Sequence, residues 1–194
     1  MKTLLFNPFQ KYSDTRLLAV GLITTMAGIF GASMTHTHYD GVLDTHFSDN
    51  IPLQTALLES VFNALSLAMV FFILGKIINP KTRFIDILNI ALIVKIPAYL
   101  LMFFNINGQV FELTRKILST ENTAEALNFT PVNTVFLTVF TTVTIFIFLW
   151  IIVLLYNGFK VAVHTKNTFV HILAFVVGVV LAEVLSKVLI YNFI

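Results

Sequence analysis

The residues best able to do chemistry in this chain are polar side chains set inside apolar stretches: Glu59, Asn63, Lys95, Glu183 and Lys187. A charge within a bilayer core costs roughly 2.5 kcal/mol or more and turns toward the interior of a bundle. At about 1.5 Å of helix rise per residue, Lys95 falls near the middle of its apolar run. Glu59, Asn63 one turn deeper on the same face, Glu183 and Lys187 all fall in one outer half of the membrane. Lys187 lies about one turn from the surface, within reach of water for a long side chain. Glu183 and Lys187 are spaced to pair along one helix. Lys95 has no acidic residue at helical spacing in its own run, so Glu183 is its expected partner. Such a cluster could bind a proton, an ion or a polar solute, but its commoner use is a clamp between helices. Asp86 sits at the opposite end of the run that holds Lys95 and can reach the interface.

A second group lies in the polar segment 35–54, which has no Lys or Arg. His36, His38, Asp40 and His46, with Asp44 and Asp49, offer nitrogen and oxygen donors of the kind that bind divalent metals. Their spacing matches no established metal motif, and a solvated loop without metal is the expectation. No cofactor is called for. The chain has no G-x-S-x-G, H-E-x-x-H or P-loop pattern. It has no cysteine, which excludes disulfides, thiolate metal sites and cysteine nucleophiles. There is no run of basic residues and hence no footprint for nucleic acid.

The elements that must position these residues are membrane helices. The 194 residues are 57% hydrophobic and 11% charged, with mean hydropathy +0.89, against about 25% charged in soluble domains. The expectation is an all-α polytopic membrane protein, a five-span transmembrane helical bundle. An interfacial segment, 1–16, carries Leu5, Phe6 and Phe9 among Lys2, Lys11 and Arg16. One transmembrane domain, 17–194, follows, with spans at about 17–34, 56–78, 84–104, 135–156 and 169–190. The first span carries the small-residue pairs Ala27/Gly31 and Gly28/Ala32, which favour close helix approach. A cleaved signal peptide is its rival reading, opposed by Pro8 and Asp14 in the long leader. Gln109 to Leu118 reads as a surface helix. Asn128-Phe129-Thr130 is a glycosylation sequon.

Charge orients the spans. Lys2, Lys11, Arg16, Lys76, Lys81, Arg83, Lys160 and Lys166 fall on one side, and only Arg115 and Lys116 on the other, with Asp40, Asp44, Asp49, Glu112, Glu121 and Glu125. The positive-inside rule then places the N-terminus in the cytoplasm and the C-terminus outside, in a bacterial inner (plasma) membrane.

The last third reads as a helical hairpin around which the other spans pack. Its turn is expected at Asn157-Gly158-Phe159-Lys160 to Asn167, with His164 and His171 interfacial. Its second arm carries a ladder of small residues, Ala174, Gly178, Ala182 and Ser186. Its first arm has a threonine face, Thr134, Thr138, Thr141 and Thr142, expected against that ladder or bonded within its own helix.

Residues Trp150 to Lys160, then Lys166 and the apolar run to Glu183 and Lys187, resemble the Yip family, named for interaction with Ypt/Rab GTPases. The five-span layout with a cytoplasmic N-terminus is also similar. The resemblance implies a small helical bundle that acts through partner binding and has no enzymatic activity. The chain lacks the long N-terminal region of eukaryotic members and their Asp-Leu-Tyr-Gly-Pro-type motif, so a bacterial-type member is implied and no functional residue is carried over. The expected function is a non-enzymatic scaffold whose partners are the lipid bilayer, a second copy of itself or another membrane protein. The alternative is a small-solute or ion transporter, or a substrate-binding membrane subunit, using a buried Glu183/Lys95 site. A membrane-embedded hydrolase is a third, weaker reading.

Overall fold

A computed structural model of the chain describes residues 5–119, 129–165 and 167–194. Lys2, Glu121, Glu125, Asn128 and Lys166 lie outside the described residues. In chain order the elements are a 3-10 turn at Pro8–Gln10, α1 (Asp14–Thr35), β1 (Thr37–His38), β2 (His46–Phe47), α2 (Leu53–Ile78), α3 (Phe84–Ile93), α4 (Ile96–Tyr99), a 3-10 turn at Leu100–Asn105, α5 (Gln109–Ser119), α6 (Pro131–Val163) and α7 (Thr168–Phe193). The architecture is all-α. Five segments are long and apolar enough to cross a bilayer: α1, α2, the run Phe84–Asn105, α6 and α7. The strands form one two-residue antiparallel ribbon, Thr37 opposite Phe47 and His38 opposite His46.

The central element is the third span, not the terminal hairpin. Buried residues make up 67% of its apolar window, against 17–33% for the other four. It is also the broken one. Pro97 has no N–H to donate, and its ring crowds the carbonyl four residues back, Ile93, where α3 ends. Lys95 stands at the break and is 5% exposed.

The hairpin expectation needs correction in two respects. Asn157 to Lys160 is not a turn: α6 continues to Val163, and His164 closes it in the left-handed region at φ 50°. The polar residues there have helix-compatible uses. Asn157 donates to the Phe6 carbonyl at 2.9 Å, Trp150 donates to that of Leu5 at 2.6 Å, and Gly158 lets Phe9 and Ile90 close on the helix. The leading segment is thereby docked on α6. At 33 residues, α6 is about 50 Å long, well beyond the roughly 30 Å hydrocarbon core.

The arms of the hairpin also hardly touch. The most extensive helix pairing is α2 with α7, while α6 packs on α3. The small-residue ladder therefore faces α2: a Cβ at Gly178 would stand 2.9 Å from the Phe71 ring and 3.0 Å from Leu74, and Ser186 bonds to Asn63. The threonine face bonds within α6, Thr138 Oγ1 to the Thr134 carbonyl at 2.8 Å and Thr142 Oγ1 to that of Thr138 at 2.7 Å. Gly178→Leu should therefore cost about 1–3 kcal/mol by overpacking this interface, seen as a lowered midpoint in thermal unfolding in detergent. An unchanged midpoint would place the ladder elsewhere.

Two further expectations resolve simply. The surface helix forms as α5, burying Val110 and Leu113. Asn105 anchors it, donating to the Thr35 carbonyl at 2.8 Å and accepting from Phe111 N–H at 3.1 Å. His171, in the first turn of α7, is buried within the protein: it is 1% exposed and lies against the rings of Tyr156 and Phe159.

Candidate functional site: a re-entrant loop on buried polar side chains

The segment joining α1 and α2 does not stay in solvent. Tyr39 and Val42 are 2% and 1% exposed. Val42 packs with Leu67, Val94 and Ala182 in the main core. Non-helical backbone at membrane depth is tolerated only when protein encloses it and answers its polar groups. Here four side chains from three spans do so.

From α2, Glu59 accepts from Tyr39 N–H at 2.9 Å, and Asn63 donates to the Tyr39 carbonyl. From the break in the third span, Lys95 donates to the carbonyls of Gly41 and Val42 at 2.8 and 2.9 Å. From α7, Glu183 accepts from Leu43 N–H at 2.9 Å. Asn63 and Glu59 lie one helical turn apart, which lets them take the carbonyl and the N–H of Tyr39. Ser186 donates to Asn63 Oδ1, fixing which end of that amide faces the loop. Gly41 is required by close approach, since a Cβ there would overlap the Glu183 carboxylate.

All five residues of the expected cluster thus converge on one place. The expected Lys95–Glu183 ion pair is absent among the described residues, however. The two are joined through the loop backbone, one holding its carbonyls and the other its N–H. Lys187 pairs with Glu183 at 3.6 Å, as spaced, but lies closer to Asp44, at 2.6 Å. That second contact ties the returning limb of the loop to α7. Asp86, at the other end of the bundle, pairs with Arg83 at 2.5 Å, and the same guanidinium holds Asp14 at 2.9 Å.

Two of the loop's histidines, His38 and His46, have structural partners too. His38 Nδ1 meets Glu59 at 2.5 Å and its Nε2 meets Ser48 Oγ at 3.0 Å. Its ring stacks on His46 with centroids 4.6 Å apart, and His46 pairs with Asp40 at 3.1 Å. His36 takes the left-handed position that ends α1, at φ 55°. Among the described residues no group of three or more His, Asp or Glu side chains is placed to hold a metal ion.

Ser48, His38 and Glu59 have the connectivity of a serine–histidine–acid triad, a relation no motif in the sequence announces. Ser48 Oγ also donates to the Asn50 carbonyl at 3.2 Å, a second acceptor that competes with His38. The arrangement reads as a staple that closes the mouth of the loop.

The His46–Asp40 pair gives the loop a pH dependence. The Asp40 carboxylate raises His46 above its ordinary 6.5. Burial pushes Asp40 up, but the contact with His46 and its charge outweigh this and hold it below its ordinary 3.8. A raised histidine contributes stability below its unfolded value, lost as pH rises through the folded one. A depressed carboxylate contributes above its unfolded value, lost as pH falls through the folded one. The pair should therefore contribute fully between 3.8 and 6.5. The loss in melting temperature from Asp40→Asn should be greatest in that window and shrink as pH rises beyond it. A difference that does not vary with pH would contradict this.

No protein-family model matches the chain, nor does any curated protein or solved structure.

Proposed function

We propose that this chain is a non-enzymatic integral membrane protein of the Yip type, a scaffold that works through helix contacts with a second copy or another membrane protein. We place it in a bacterial inner membrane with its N-terminus in the cytoplasm. The observation that carries this reading is the occupied polar cluster. Glu59, Asn63, Lys95 and Glu183 have their hydrogen-bonding capacity turned to the backbone of the chain's own loop, and Glu59, Asn63 and Lys95 are 2%, 1% and 5% exposed. A transporter needs those groups open to a solute from one side. The long, exposed apolar face of α6, with Val132, Val135, Val139 and Phe146, supplies a surface for helix contacts.

A photo-crosslinking residue at Val139 should trap a discrete protein adduct in native membranes, whereas adducts with lipid alone would count against a scaffold. Two controls address the other classes. Purified protein should leave Ser48 unlabelled by a fluorophosphonate, and vesicles reconstituted with it should show no proton flux that Glu59→Gln abolishes. A positive result in either overturns the reading in favour of a hydrolase or a transporter.

A further inference from the structure

We propose that the basic end of the bundle carries a binding site for one anionic phospholipid, with the phosphate on Arg16 and one acyl chain in the groove between α1 and the broken third span. The groove is a side-opening cavity of about 530 Å³ whose lining includes Pro8, Tyr12, Arg16, Val20, Ile93 and Ile96. Its polar groups, Tyr12 and Arg16, lie at one end, and the rest is aliphatic.

Its length matches one leaflet. Gly21 abuts Leu92 and Gly28 abuts Tyr99, so α1 and the third span run side by side in register. Ile96 therefore stands level with Thr25, about 14 Å along the helix from Arg16, close to half of a roughly 30 Å hydrocarbon core. Pro8, from the 3-10 turn, lines the cavity with Tyr12 and Arg16, and Ile93 and Ile96, on either side of the break, line it from the third span.

Charge selects the headgroup. Asp14 and Asp86, the acidic residues at this end, are both taken by Arg83. Arg16 is exposed and has no hydrogen-bond or ion-pair partner among the described residues. Lys11 is near the same mouth, its ammonium 5.7 Å from the Tyr12 ring centroid. A guanidinium fork matches phosphate oxygens in two parallel bonds. A neutral apolar ligand would leave that fork unused, and a free phosphate would leave the groove empty. A phospholipid uses both, and an anionic one is preferred because the quaternary ammonium of a zwitterionic headgroup would stand beside the like charges of Arg16 and Lys11.

The test is native mass spectrometry of the full chain in detergent, with phosphatidylglycerol and phosphatidylcholine of matched acyl chains at equal concentration. The wild type should retain one phosphatidylglycerol in preference to phosphatidylcholine by about tenfold, the ratio that one like-charge contact with the choline ammonium near a protein surface gives. Arg16→Gln, at an exposed position, should bring the two lipids near equality while some binding persists. A folded Ala19→Trp, which fills the groove, should lower retention of both. Equal retention by the wild type, an unchanged preference in Arg16→Gln, or full retention in folded Ala19→Trp would each overturn the proposal.

Discussion

Lys95→Met should be among the most destabilising single substitutions in this protein. Methionine keeps much of the volume but cannot donate, so the Gly41 and Val42 carbonyls lose their partner in the core. Each buried polar group left unpaired costs about 1–3 kcal/mol. The loss should appear as a sharp drop in the unfolding midpoint in detergent. Lys76→Met is the matched control: its ammonium bonds the Pro80 carbonyl at the exposed end of α2, and its loss should stay within about 0.5 kcal/mol. Equal effects at the two sites would mean that Lys95 does not hold the loop.

Glu59→Ala should be of similar size, by a different route. The carboxylate is 2% exposed and answers both Tyr39 N–H and His38. Its removal strands the Tyr39 N–H and leaves His38 Nδ1 without its partner, at about 1–3 kcal/mol for each buried group left unpaired. The substitution should also couple to Asn63→Ala, since the two side chains hold the N–H and the carbonyl of the same residue, Tyr39. The double variant should lose less than the sum of the single ones, by about 0.5–3 kcal/mol. Strict additivity would separate the two residues.

The five spans were legible because apolar runs of bilayer length are hard to place in any soluble fold. The members of the polar cluster were legible for a related reason: Glu59, Lys95 and Glu183 are costly inside such runs and must meet something. What they meet was not legible. The expectation paired Lys95 with Glu183 because side-chain charges are visible in a sequence and backbone carbonyls are not. The loop was read as solvated on account of its histidines and aspartates, yet Tyr39, Gly41 and Val42 among them carry the buried backbone. Asn157 to Lys160 looked like a turn because polar residues interrupt an apolar run. In the fold Asn157 bonds the docked leading segment and the helix passes through unbroken. The ladder Ala174, Gly178, Ala182 and Ser186 marked a face for close packing, but small residues do not name their neighbour, and here it is α2 rather than the adjacent arm.

The central claim is that the α1–α2 loop is a plug held inside the bundle. The chain has no cysteine, so single cysteines can report on it against a clean background. In separate variants of the native protein, Val42→Cys and Asn50→Cys should be treated with a water-soluble maleimide. Asn50 is exposed and Val42 is 1% exposed. The cysteine at position 50 should label readily, and the one at position 42 should stay unmodified until the protein is denatured. Labelling of position 42 in the folded protein at the rate of position 50 would contradict the plug.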